Sequence, residues 1–357
     1  MTTTVPAPPA ESATAFTWQG VRTVLRLELR QRVRSTRWKI ALIAWFALIG
    51  AISLLLPPLM GSAGSAGNGW VFGLILMLVL GLGLVVSPTL SSTSINGDRN
   101  AGTLAILQVT MLGPAELAVG KLLAGWVAAL VFLAVSLPFL LWGALLAQVS
   151  VGGFLLVLLV LALLLGVVCA IGLGFSSLTK APAGSTVLTY VAVVSLTVLS
   201  LIGFGVSMPM VTTDDRVEVL VVPADANAEC VWTQTTRTVA HTERTWWLLA
   251  INPFVVLADA APQPQLANEW DIGPLGTIQE AVRYARAGGA IATDECWSEN
   301  YPAGVRPGDL RDDSVSEAPI WPWGLGGNLA LGGLGLWVAI RRLRVPYTSL
   351  APGTRVA

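Results

Sequence analysis

The sequence predicts an all-α polytopic membrane protein. Six transmembrane helices follow an N-terminal interfacial helix, and a small mixed α/β extracytoplasmic insertion separates the fifth from the sixth. Three observations predict this. The 357-residue chain is 54% hydrophobic and 12% charged, against about 25% charged in an ordinary soluble domain. Six apolar runs have lengths near the roughly 20 residues that cross a bilayer core of about 30 Å. None of the six contains Asp, Glu, Lys, Arg or His. With a mean hydropathy of +0.70, and 21 basic residues balancing 21 acidic ones, the composition excludes a disordered chain, a coiled coil and a nucleic-acid binder driven by net positive charge.

Residues 1–17, rich in Thr, Ala and Pro, read as a disordered cytosolic tail. Residues 18–39 read as an amphipathic interfacial helix. Val21, Leu25, Leu29 and Val33 recur every four residues, and Arg22, Arg26, Arg30 and Arg34 follow the same step offset by one. On a helix these rows make an apolar face beside a cationic one, suited to a bilayer surface with anionic lipid. Arg32 falls on the apolar side and would have to snorkel. The polar segment before the first apolar run is too long for a signal peptide.

The first span covers 40–56 and stops at Pro57-Pro58. The second, 70–86, ends near Pro88. The third, 122–147, holds Pro138 as a kink. The fourth and fifth are 152–175 and 185–208, and the sixth is 321–340, ended by Arg341-Arg342. Trp70, Trp321 and Trp323 stand where an interfacial belt belongs.

The loops 61–69 and near Ser150 are short and uncharged, whereas 91–121, 176–184 and the tail 341–357 carry basic residues. The positive-inside rule then puts both termini in the cytosol, and abundant Ala, Gly and Arg with only three Lys suggest that the membrane is a bacterial cytoplasmic one. On that arrangement the cytosolic segments hold 14 basic and 4 acidic residues, and the 209–320 insertion holds 17 acidic and 7 basic. Zero net charge is therefore an inner excess of basic residues cancelling an outer excess of acidic ones.

Within 209–320, residues 217–222 and 231–239 have strand character, and 277–287 reads as a helix. The apolar run 245–261 is broken by Asn252-Pro253 and fits a short or re-entrant helix at the outer interface. Cys230 and Cys296 share this insertion, and outside the cell two thiols in one small domain point to a disulfide. Cys169, in the fourth span, reads as a small packing residue. With one histidine and no close Cys/His spacing, no metal site is expected.

No catalytic constellation stands out, and His241 reads as a surface histidine. The only Gly-Lys pair, Gly120-Lys121, is followed by Leu122-Leu123, so the chain lacks a nucleotide-binding loop of that type. The glycines at 324–335, and the Gly166, Ala170, Gly174 row, read as helix-packing surfaces. Uncharged spans argue against proton coupling within the chain. Active transport would need energy from a partner.

The loop 91–121 carries Asp98-Arg99, Gly102-Thr103-Leu104, Leu107, Thr110, Glu116-Leu117 and Gly120-Lys121-Leu122. Residues 103–109 read as one or two helical turns, with Leu104, Ile106 and Leu107 free to dock. In order and spacing this loop resembles that of the permease subunits of ABC-2 type exporters. The interfacial helix, the six spans and Asn252-Pro253-Phe254 before the last span agree. Two departures stand out: Asp98 where Glu is usual, and Met111 after Thr110 where Pro is common. The insertion is also larger than many members carry.

The resemblance implies a half-transporter. Two permease chains, as a homo- or heterodimer, would form the translocation path. Separate ABC ATPase subunits would carry ATP and Mg, and this chain would hold no cofactor and be no enzyme itself. Residues 103–110 would be the coupling helix, and Asp98, Arg99 and Glu116 would make polar contacts with the ATPase. Uncharged spans suit a hydrophobic or amphipathic cargo. The sequence also admits a membrane scaffold or sensor displaying the insertion, or an ion-coupled or passive carrier.

Overall fold

The computed structural model describes residues 16–59, 64–101, 113–222, 229–262, 273–288, 293–296 and 318–344. Most of them are helical. Helix α1 (Trp18–Arg34) precedes α2 (Thr36–Leu59), α3 (Gly64–Ser91) and the single turn α4 (Asn96–Asn100). Helix α5 (Pro114–Leu146) takes up the last residues of the 91–121 loop, and α6 (Val151–Leu178) and α7 (Pro182–Val194) follow. Helix α7 continues through a π-helical turn (Ser195–Leu199) into α8 (Ser200–Ser207). Among the described residues, six helical segments are long and apolar enough to cross a membrane, as in a multi-pass membrane protein. The sixth of these is α12 (Trp321–Leu343).

Several expected boundaries shift, four of them as follows. The interfacial helix ends at Arg34, not 39, because Ser35 is extended (φ −75°, ψ 125°) and its N–H returns to Arg32 O. Thr36, Arg37, Trp38 and Lys39 therefore begin the first span's helix. That span does not stop at Pro57-Pro58, since α2 runs on to Leu59. The prolines sit in its last turn, where their missing N–H groups forfeit only two ladder bonds. Pro88 likewise lies inside α3. The third span begins at Pro114, eight residues before its apolar run, on the N-cap Gly113.

Helices α3 and α6 are the most buried spans and form the centre of the bundle. The core packs Phe72, Leu76 and Leu80 of α3 against Leu161 and Leu164 of α6. Helix α2 leans on α5 through Trp45, whose Nε1 donates to Ser136 Oγ at 2.8 Å and whose ring meets the Phe132 edge. Helices α6 and α12 cross backbone to backbone. A Cβ on Gly174 would lie 2.8 Å from Gly335 Cα, and one on Gly335 would lie 2.6 Å from Ala170 O. Gly174 and Ala170 with Gly332 and Gly335 thus make the crossing surface, whereas Gly166 faces Trp126, Gly324 and Gly327 face Ala250 and Ile251, and Gly326 and Gly333 face open space.

In the insertion, β1 (Thr212–Val221) and β2 (Val231–Ala240) pair antiparallel from Thr212↔Ala240 to Val221↔Val231. A short β3 (Thr293–Glu295), which the sequence does not announce, joins the other edge of β1 in parallel. Cys230, just before β2, and Cys296, just after β3, form a disulfide buried beside Leu220. The run 245–261 becomes two short helices, α9 (Trp247–Ala250) and α10 (Pro253–Ala260), and 277–287 lies within α11 (Pro274–Ala287).

Asn252 explains the break. Its Oδ1 caps Phe254 N at 2.9 Å, with Pro253 in the first position, where the missing N–H costs nothing. Its Nδ2 donates to Thr197 O in the π-helical turn, at 2.7 Å. Helix α10 is buried in the bundle, with Val256, Leu257 and Ala258 in the main core. A helix pair broken at Asn252 and buried in the bundle is compatible with the expected re-entrant placement, with the Asn252 amide bonded on both sides of the break.

Candidate functional site: the frame around the 91–121 loop

Four residues of the loop motif converge where α1 crosses α5. Glu116 sits in the first turn of α5. Its Oε2 accepts from Gly113 N at 3.0 Å. Its Oε1 accepts from both Thr17 N and Thr17 Oγ1, each at 2.6 Å. Thr17 is itself the N-cap of α1. One buried carboxylate therefore serves the starts of two helices, where the partial positive charge of both termini favours an anion.

One turn later, Gly120 lets α1 approach. A Cβ there would lie 2.7 Å from Val24 Cβ and 3.2 Å from Val21 O. Lys121 follows, and its side chain is 1% exposed. Its Nζ donates to Glu28 Oε1 of α1 at 2.6 Å and to Asp98 Oδ2 of α4 at 2.5 Å. One ammonium thus ties α1, α4 and α5. Arg99 follows Asp98 on α4 and is half-buried. Beneath these charges, Val24, Ile95, Leu117, Leu173 and Leu343 form an apolar cluster from α1, the α3–α4 turn, α5, α6 and α12.

The α3–α4 turn has a second anchor. Asn96, fully buried, donates from Nδ2 to Ser185 Oγ at 2.7 Å. The backbone N–H groups of Ile95 and Asn96 donate to Ser176 Oγ. The last turn of α6 and the first turn of α7 thereby hold the entrance to α4. Gly102, Thr103, Leu104, Leu107 and Thr110, and with them the expected 103–110 coupling helix, lie outside the described residues.

Helix α1 has three faces rather than two. Gly20, Val21 and Val24 are buried against the bundle. Glu28 and Arg32 continue that face and are partly buried. Val21 therefore leaves the expected membrane stripe, while Trp18 and Val33 remain exposed, with Leu25 and Leu29 half-buried. Arg22, Arg26, Arg30 and Arg34 are all exposed. Arg32 does not snorkel outward. Its Nη2 donates to Leu90 O at 2.7 Å, near the end of α3, where cations suit the helix terminus. Burial lowers the pKa of its guanidinium, and Glu28 one turn earlier opposes that shift.

At the opposite end, the insertion grips the last span. Asp259 of α10 has a fully buried side chain. Its Oδ2 accepts from Ile320 N at 2.6 Å and Trp321 N at 2.7 Å, capping α12. Its Oδ1 accepts from Arg283 Nε of α11 at 2.9 Å. Asn328 Nδ2 of α12 donates to Ile251 O at 2.8 Å.

Sequence reading passed over Thr17, Glu28, Asn96 and Asp259. Two had a signal: Glu28 is the one acid among the basic residues of 18–39, and Asp259 the one acid in 245–261. Among the described residues, no group of three or more His, Cys, Asp or Glu converges as metal ligands would. The fold and this frame define the class, a multi-pass membrane protein with a braced inter-span loop. Compared with family models and with curated proteins, the chain matches none.

Proposed function

We propose that the chain is the membrane-spanning permease subunit of an ATP-driven exporter, of the ABC-2 type its loop motif resembles. A separate ATPase supplies the energy. The observation that carries this reading is the Glu28–Lys121–Asp98 bridge. A loop that only connects two spans needs no rigid footing. This one starts at a pinned helical turn and ends on a helix whose first turn is clamped to α1. A push on residues 103–110 would be delivered to α1, α3 and α5 together rather than absorbed by the loop.

On this reading both termini and the loop are cytosolic, and the exposed basic row of α1 lies on the inner membrane surface. Glu116 and Lys121, being buried, hold the frame. Asp98 and Arg99, partly exposed on α4, are the charges nearest the ATPase. Two permease chains pair through apolar faces of the bundle.

The test is co-purification of the full chain with stand-alone ATPases encoded beside its gene. An ATPase should associate, and Leu104→Asp with Leu107→Asp should abolish both association and transport. Transport that survives that double substitution, with no ATPase bound, would sink the reading.

A further inference from the structure

His241 is the only histidine of the chain and closes the base of the β1–β2 hairpin. Its Nδ1 lies 2.7 Å from Glu243 Oε1, in the turn that follows β2. Its Nε2 lies 2.7 Å from Asp215 Oδ2 of β1 and 2.9 Å from Thr213 Oγ1. A neutral imidazole carries one N–H and cannot donate to two carboxylates at once. With a carboxylate oxygen on each ring nitrogen, the arrangement is that of an imidazolium.

The surrounding charges are accounted for. Arg237 of β2 stands opposite Asp215 in the strand register. Arg244 follows Glu243 and weakly opposes the charged ring. From α11, Arg283 is engaged by Asp259 and Arg286 Nη1 donates to Ala318 O, while Glu280 is exposed. Gly288, at the end of α11, leaves room for Glu243. A Cβ there would collide with Glu243 Oε2, and its φ of 86° also favours glycine.

The turn beyond His241 leads inward. Thr242 O accepts from Trp246 N at 2.9 Å, at the start of α9. Helix α9 leads through Asn252 to the π-helical turn and α10. A contact between His241 and Asp215 therefore ties the hairpin to the re-entrant pair.

We propose that His241 is a proton-operated clasp, holding the hairpin to the re-entrant helices when charged and releasing Asp215 when it loses its proton. The geometry says which side opens. In the neutral ring, Nδ1–H stays with Glu243. Nε2 becomes an acceptor, repels Asp215 and accepts a hydrogen bond from the Thr213 hydroxyl, which is already within reach. The hydrogen bonds to both carboxylates raise the histidine's pKa above its ordinary 6.5. The stability this contributes is full below the ordinary imidazole value and is lost as pH rises through the raised one. The clasp rests on the exporter reading only in placing the insertion outside the cell, where it would respond to external pH.

The test uses the full chain in detergent micelles and needs neither transport nor orientation, so its failure is distinct from failure of the exporter reading. The single imidazole resonance is titrated by NMR. Amide exchange over 211–215 and 242–250 is followed across the same pH range, corrected for intrinsic exchange. The expected results are a midpoint above 6.5, a downward shift in Asp215→Asn and in Glu243→Gln, and loss of protection above the midpoint. His241→Gln should abolish that pH-dependence, and Thr213→Val should deepen it by removing the fallback donor. If His241→Gln does not fold, the Asp215→Asn midpoint decides. A wild-type midpoint at or below 6.5, an unshifted Asp215→Asn, or the same pH-dependence in His241→Gln would overturn the clasp.

Discussion

Lys121→Met isolates the bridge at the centre of the loop frame. The substitution keeps most of the side-chain volume and removes the ammonium. That ammonium is 1% exposed, while Glu28 and Asp98 are 17% and 30% exposed. Without it, two carboxylates lose the cation they share. Removing one partner of a buried ion pair costs about 3–5 kcal/mol. Both acids keep some water, which puts the expected loss at the lower end, about 3 kcal/mol. An exposed surface pair would be worth less than about 1 kcal/mol. The assay is SDS titration of the full chain in mixed micelles, read by tryptophan fluorescence. Lys121→Met with Glu28→Gln should recover part of the loss, because the repulsion goes with the second charge. A loss under about 1 kcal/mol, or a double variant no better than the single, would refute the reasoning.

Three further outcomes follow from the same geometry. Asp259→Asn leaves Arg283 without its charge partner and weakens two bonds at the start of α12. It should cost about 3 kcal/mol in the same titration, with faster exchange at Ile320 and Trp321. Gly174→Val drives a side chain into the Gly335 backbone, which cannot rotate aside, and should cost about 2 kcal/mol or more. Cys230→Ser with Cys296→Ser opens a loop of 66 residues. It should destabilise the insertion by about 4 kcal/mol in the chain-entropy description, leaving the thermal transition of the spans in place.

Much of the fold is legible in the sequence because bilayer-spanning length is a property of composition. The six apolar runs mark six helices, and their ends shift where Ser35 or Gly113 imposes a local backbone choice, or where a helix runs on through Pro57-Pro58 or Pro88. The insertion's first two strands and α11 also fall close to their patterned segments. The third face of α1 is harder to see. The two four-residue rows account for apolar and basic surfaces, and the buried stripe of Val21, Val24, Glu28 and Arg32 mixes residue types from both. The polar anchors are less legible still. A lone Asn252 or Asp259 has a meaning only when a distant carbonyl or helix start is brought to it. Glu116 illustrates the limit. Its spacing marks it as part of a motif, but its partner Thr17 lies 99 residues away.

A 91–121 loop that receives force from a separate ATPase must touch that ATPase. The most direct measurement places a photo-crosslinking amino acid at Leu107 in the full chain and irradiates native membranes. The account predicts a cross-link to a subunit bearing a nucleotide-binding loop, lost when Leu104→Asp is added. Transport that continues with ATP hydrolysis blocked, and no ATPase cross-link from Thr103, Leu104 or Leu107, would contradict it.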